Sequence, residues 1–151
     1  MGKVCCGFGH RMSEPIDTEL LSGILENLIK TCGVDSFYIG GMGDFDNAFL
    51  NCVKNLKIRN NDISIKLIKP YFSNQLNNYK EFYELFDEII IPELSSQAYY
   101  KNAIRIRNRW MIDKSDFVIS GIYKEYGGAY EAIKYAQKTG KKIINLKSQV
   151  F

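Results

Sequence analysis

The sequence lacks the features that mark membrane, secreted and metal-binding proteins. No apolar run reaches the roughly 18 residues that a membrane span needs, so we expect no membrane partner. The first residues run directly into a strand-like segment, and we expect no signal peptide. The four cysteines form no Cys-x-x-Cys pair and only one histidine, His10, accompanies them, so we expect no metal site. Free cysteines in apolar contexts predict a cytoplasmic location.

Several catalytic signatures are absent as well. The sequence has no Ser-His-Asp order, no paired-carboxylate motif and no Gly-x-x-x-x-Gly-Lys-Ser/Thr loop. No motif points to a bound cofactor, and we expect none. The net charge of +3 is not clustered as in a dedicated nucleic-acid binder, so we expect no nucleic-acid partner. A mildly basic chain still favours an anionic small molecule.

The patterns that are present indicate an α/β protein. The chain has 151 residues, 46% hydrophobic and 25% charged, which suits a single globular domain over residues 1–151. Periodicity predicts six strands, over 4–8, 36–41, 63–71, 88–91, 116–121 and 142–146. It also predicts a helix that ends at Gly33, a second helix capped by Asp44 or Asp46, and three more over 79–86, 100–113 and 128–137. Residues 93–99 are predicted to form a loop. This alternation predicts a Rossmann-like, doubly wound, mainly parallel sheet with helices on both faces and the first strand central.

Glycines cluster where three of the predicted strands end. They are Gly7 and Gly9 after the first strand, Gly40, Gly41 and Gly43 after the second, and Gly127 and Gly128 after the fifth. Ligands of open α/β sheets bind beyond the carboxyl ends of the strands, and glycine lets backbone amides approach an anion closely. The clusters together predict a phosphate site at one edge of the sheet. An ordinary tight turn remains the alternative for any single cluster.

Polar and aromatic side chains near these turns are further candidates. His10 and Arg11 follow the first glycine turn, where they would contact a phosphate or a ribose. The alternative is a histidine that caps a solvated turn. Several tyrosines near predicted loops could stack on a base or simply pack, namely Tyr99, Tyr100, Tyr123, Tyr126 and Tyr130.

Residues 102–111, within the helix predicted over 100–113, include three arginines. At about 100° per residue, Arg107 shares a stripe with Ala103 and Met111 and therefore points inward. Arg105 and Arg109 fall on the opposite face and are expected to be solvated. An inward arginine must be paired or must meet an anion. A ligand phosphate would serve, and a structural ion pair with an aspartate at position 113 or 116 is the alternative.

The order of these motifs resembles the SLOG superfamily, with the small bacterial proteins of the YpsA type as the most similar branch. The resemblance rests on residues 5–11, on 40–46 with Asp46 at its end, on 107–116 including Asn108, and on 127–129. It implies a Rossmann-like domain that binds a nucleotide or nucleotide-derived ligand such as AMP or ADP-ribose. It further implies a sensor or regulator and a homodimer.

A second branch of this superfamily implies an enzyme instead. In the lonely guy phosphoribohydrolases, an arginine and a glutamate cleave the N-glycosidic bond of a nucleoside monophosphate. Arg107 lies at the matching distance before Ser115, but the glutamate position falls on Ala132 and Glu131 is one residue early. One residue turns a helix by about 100°, so Glu131 is expected to point elsewhere. Hydrolysis by Arg107 and Glu131 is therefore the alternative to binding alone.

Overall fold

The structure, a computed structural model, describes residues 2–12, 15–41, 43–72 and 80–146, except for the side chain of Lys101. Its strands are β1 (Lys3–Gly9), β2 (Val34–Ile39), β3 (Ser64–Ile68), β4 (Glu88–Ile90), β5 (Phe117–Gly121) and β6 (Lys142–Asn145). Its helices are α1 (Thr18–Cys32), α2 (Asp44–Arg59), α3 (Lys80–Tyr83), α4 (Glu93–Ser96), α5 (Tyr100–Lys114) and α6 (Gly128–Lys138). Tyr79, the first residue of the helix predicted over 79–86, lies outside the described residues.

The strands form one parallel sheet in the order β4-β3-β2-β1-β5-β6. Successive side chains of β1 point to opposite faces, so that Cys5 packs with α1 and α2 while Cys6 packs with α5 and α6. Burial on both faces explains why β1 is a continuous apolar run. The predicted Rossmann-like fold with a central first strand is confirmed.

Local capping chemistry explains the bounds of α1. The side chain of Asp17 accepts a hydrogen bond from the N–H of Leu20 at 3.0 Å, and Gly33 ends the helix with a φ of 77°. Apolar residues at helical spacing then bury one face, with Leu21 and Leu25 fully inaccessible to solvent.

Two predicted details are wrong. Neither Asp44 nor Asp46 caps α2, because Gly43 holds the cap position and Asp44 donates its N–H to the carbonyl of Arg11 at 2.8 Å. The predicted loop over 93–99 contains α4, where the fully buried Ser95 donates its Oγ–H to the carbonyl of Pro92 at 3.0 Å.

None of the helices among the described residues is long and apolar enough to cross a bilayer.

Candidate functional site

A cleft of about 350 Å³ opens beyond the carboxyl ends of β1 and β5. The chain builds outward from β1 to β4 in one direction and then returns to place β5 on the other side of β1. The connections that follow β1 and β5 run to opposite sides of the sheet, and a crevice therefore opens between the ends of these two neighbouring strands. The residues lining it are Gly7, Phe8, Gly9, His10, Arg11, Met12, Gly40, Asp46, Ile104, Arg107, Asn108, Lys124, Tyr126, Gly127, Gly128 and Ala129.

The glycines at the end of β1 have a packing role. A Cβ on Gly9 would lie 2.3 Å from Cγ of Phe45, and a Cβ on its register partner Gly121 would lie 2.5 Å from the same ring. A Cβ on Gly7 would meet the ring of Phe49 at 2.9 Å. These glycines let the first turns of α2 lie directly on the sheet.

The second glycine cluster is divided between two surroundings. Gly40 lines the cleft, whereas a Cβ on Gly41 would point at Cδ1 of Leu67, 3.0 Å away and outside the cleft lining. Gly43 has a φ of 112°, and its Cβ would lie 2.5 Å from Cα of Arg11. Gly41 and Gly43 therefore do not line the cleft. The absence of a side chain at Gly43 lets the backbone of Arg11, which follows β1, pack against it.

The third cluster is open. Gly127 is the N-cap of α6 with a φ of 97° and no capping side chain, and Gly128 is the first helical residue. A Cβ at either position would meet no atom within 4 Å. The first turn of α6 thus presents backbone amides and the positive end of a helix dipole beside the cleft.

Arg107 forms the buried floor of the cleft, with 2% of its surface exposed. Its Nη1 donates to the carbonyl of Gly40 at 3.0 Å and to that of Ile68 at 2.6 Å, while Nε donates to Oδ1 of Asn108 at 2.9 Å. Burial lowers its pKa to about 10, opposed by the negative charge of nearby Asp46. The guanidinium therefore remains charged at neutral pH and ties α5 to the ends of β2 and β3.

The inward direction of Arg107 is confirmed, whereas the alternative of an ion pair with Asp113 or Asp116 is wrong. Asp113 accepts the hydroxyl hydrogen of Tyr135 at 2.7 Å, and Asp116 accepts the N–H of Val4 at 2.9 Å. Two carbonyls at strand ends take the position that the sequence assigned to an aspartate.

His10 joins the loops that follow β1 and β5. Its Nε2 accepts the backbone N–H groups of Tyr123 at 3.2 Å and Lys124 at 3.1 Å, and its ring meets that of Tyr123 edge to face. Burial and then the charge of Lys124 lower the pKa of His10 below 6.5. His10 is buried rather than solvated, and the bonds to Nε2 identify it as a capping residue in the neutral form.

The two residues of the enzymatic alternative do not meet. Glu131 is exposed in a groove beside Arg105 and Arg109, outside the cleft lining, while Ala132 is buried. Among the described residues that line the cleft, Asp46 supplies the carboxylate. The cleft therefore contains Arg107 without Glu131.

Lys124 is a cleft residue that the sequence reasoning missed. It lies between two tyrosine rings, with Nζ 5.3 Å from the centre of Tyr123 and 5.7 Å from that of Tyr126. Tyr126 is 67% exposed at the rim. A cation and an aromatic ring just before the Gly-Gly step after the fifth strand were the signal that could have identified this part of the wall.

Two solved structures share this architecture. DNA processing protein A from Streptococcus pneumoniae aligns with a TM-score of 0.65 at 15% identity, over 96% of this chain and 50% of that one. DNA processing protein A from Helicobacter pylori aligns with a TM-score of 0.63 at 20% identity, over 95% of this chain and 64% of that one. This chain thus spans between half and 64% of their lengths. No protein-family model and no curated protein matches the sequence.

One sequence-based expectation is corrected by this likeness. The Helicobacter pylori protein has a single-stranded DNA binding mode, so the expectation that a chain of this fold has no nucleic-acid partner is wrong. Both neighbours have the Rossmann-like architecture that the SLOG resemblance implied. The fold of this chain is Rossmann-like.

Proposed function

We propose that the cleft binds the phosphate of a nucleotide-like ligand of the AMP or ADP-ribose kind, and that the protein is a cytoplasmic sensor or regulator of the YpsA type. The observation that carries this proposal is the open first turn of α6 at Gly127 and Gly128, facing a cleft at the point where strand order reverses. Backbone amides at such a turn suit a phosphate.

Charge in the cleft supports the same ligand class. Arg11, Arg107 and Lys124 line it against the carboxylate of Asp46. In our proposal Lys124 and the α6 amides contact the phosphate directly. Arg107 donates hydrogen bonds to the carbonyls of Gly40 and Ile68. In our proposal it therefore adds positive electrostatic potential at the floor of the cleft and holds the strand ends in place.

The base and ribose find complementary walls. The exposed ring of Tyr126 at the rim offers a stacking surface for a base, and Ile104 adds an apolar side wall. In our proposal the carboxylate of Asp46, which lines the cleft, accepts a ribose hydroxyl. The enzymatic alternative is less favoured because Glu131 lies outside the cleft, so we expect no base release from AMP.

Gly128→Val tests the proposal. A valine there finds no steric conflict in the fold yet fills space beside the α6 amides, so AMP, ADP and ADP-ribose should lose their stabilising thermal shift. Gly23→Val is the matched control, because Gly23 is an exposed helical glycine with no neighbour within 4 Å and lies on α1. Wild-type protein that shows no shift with any of the three ligands, or equal responses from both variants, would overturn the proposal.

A further inference from the structure

An open track leads from the cleft along α5 and α6. Ile104, Asn108 and Gly128 line the cleft and also line an adjoining groove of about 200 Å³. That groove shares Arg109 and Glu131 with a depression of about 690 Å³ that continues along α6. Because neighbouring depressions share their walls, they form one surface, which we call the α5–α6 track.

Cations run along both sides of the track. Arg105 and Arg109 lie four residues apart on α5, and Lys134 and Lys138 lie four residues apart on α6, so each pair shares a helix face. All four are exposed. From Gly128 to Lys138 helix α6 rises about 15 Å. The track therefore extends the positive cleft by about this length along α6.

These four cations share one groove, and like Lys54 on α2 and Lys142 on β6 they have no carboxylate partner among the described residues. Within the described ranges, none of them has a carboxylate oxygen inside 4.0 Å. The ion pairs that do form lie on α1, α2, β3, β4 and around α3, as between Lys30 and Glu26. Unpaired cations concentrated in one groove favour an external polyanion.

Aromatic rings lie beside these cations: Tyr135 lines the track, and Tyr130 lies against Lys134 without lining it. Lys134 lies over the ring of Tyr130 at 5.7 Å, Arg109 lies over that of Tyr135 at 4.8 Å, and Tyr126 projects at the cleft end. Cations that track a backbone and rings that accept bases are the two components of single-strand binding surfaces. An acidic peptide would use the cations but would leave the rings without a role.

We infer that the α5–α6 track binds a short single-stranded oligonucleotide, with one phosphate in the cleft and the following phosphates along Lys134 and Lys138. This inference rests on the nucleotide-binding role proposed for the cleft and names a strand, rather than a mononucleotide, as its fullest ligand. Glu131 opposes this binding, because it is the acidic side chain of the track.

Fluorescence anisotropy with a labelled oligo-dT of about 8 nucleotides tests the inference, since single-strand sites take about 4 to 16. Lys134→Ala with Lys138→Ala should weaken binding and reduce the salt slope by about 1.4, because each phosphate contact contributes about 0.7 on a single strand. Lys30→Ala with Lys54→Ala removes equal charge from α1 and α2 and should leave binding unchanged. Glu131→Gln should tighten binding, and AMP affinity should be unaffected in the Lys134 and Lys138 double variant.

The outcomes separate the track from the cleft. Oligo-dT that binds no more tightly than dTMP, or equal losses in both double variants, overturns the track while leaving AMP binding in the cleft intact. Competition by polyglutamate as strong as that by unlabelled oligo-dT also overturns it, because rings would then play no part. Oligonucleotide binding that needs Lys134 and Lys138 but persists in Gly128→Val supports the track and counts against the cleft.

Discussion

At the residue scale, Phe45 determines which side chains its neighbours in the sheet can carry. Its ring is 1% exposed and lies over Gly9 and Gly121, which are register partners on β1 and β5. Any side chain on either glycine would occupy the space of the ring. The two glycines therefore let α2 pack close to the sheet, with its N-terminus near the cleft. This packing role does not depend on a ligand.

Gly9→Ala should destabilise the fold by about 1–3 kcal/mol, as overpacking in a dense core does. The conflict is with Cβ and Cγ of Phe45, which cannot move without shifting α2. Urea denaturation followed by circular dichroism measures the loss. The cost should shrink in a Phe45→Ala background, and an unchanged cost there would show that the ring is not its cause.

Arg107 makes a second residue-scale prediction. Arg107→Ala leaves the carbonyls of Gly40 and Ile68 without their donor and should cost about 2–4 kcal/mol, as the loss of buried charged hydrogen bonds does. Arg105→Ala is the matched control on the exposed face of the same helix, expected within about 0.5 kcal/mol of wild type. Similar losses in the two variants would contradict the buried role of Arg107.

At the element scale, His10 joins the loop after β5 to the end of β1. The lowered pKa of His10 means that the fold favours its neutral form. A depressed folded-state pKa gives a contribution to stability that is complete above pH 6.5 and is lost as pH falls through the lower folded-state value. Protonation would replace the acceptor Nε2 by a donor facing the N–H groups of Tyr123 and Lys124.

Thermal unfolding from about pH 7.5 down to about pH 5 should therefore show stability falling within the histidine range. His10 is the only histidine of the chain, and the carboxyl groups with shifted pKa values, Glu26 and Asp87, titrate below their usual range. His10→Gln supplies an uncharged control. If stability falls with pH equally steeply in the wild type and in His10→Gln, a group other than His10 causes the effect.

Elements with local signals were predictable from the sequence, and those set by tertiary contacts were not. Asp17 and Gly33 mark α1 through contacts within a few residues. The start of α2 depends on Arg11, and the partners of Arg107 lie at the ends of two distant strands. Periodicity could give the direction of Arg107, but only strand order reveals what it meets.

The glycine clusters show a related limit of local reasoning. A glycine after a strand looks the same in sequence whether it admits a phosphate, as we propose for Gly128, or a neighbouring ring, as at Gly9. The distinction depends on where α2 packs. The sequence could therefore place the glycine clusters at the carboxyl edge of the sheet, while the packing of each glycine required coordinates.

At the scale of the whole molecule, the order β4-β3-β2-β1-β5-β6 places the cleft, and the helices on one face give it a charged extension. In the part of the chain that the structure describes, carboxylates pair with cations around α1, α2 and the β3–β4 edge, while the cations of the α5–α6 track have no such partners. The cleft and the adjoining track thus form one surface, lined by cations together with Asp46 and Glu131.

Titration of ¹⁵N-labelled protein with AMP and ADP-ribose, observed through backbone amide resonances, tests the central claim that this cleft holds a nucleotide phosphate. The account predicts saturable shifts at Gly127, Gly128 and Ala129 and at the β1 end around Arg11, with α1 and the outer face of α2 unaffected. Absence of saturable shifts, or shifts confined to residues away from the carboxyl ends of β1 and β5, would contradict it.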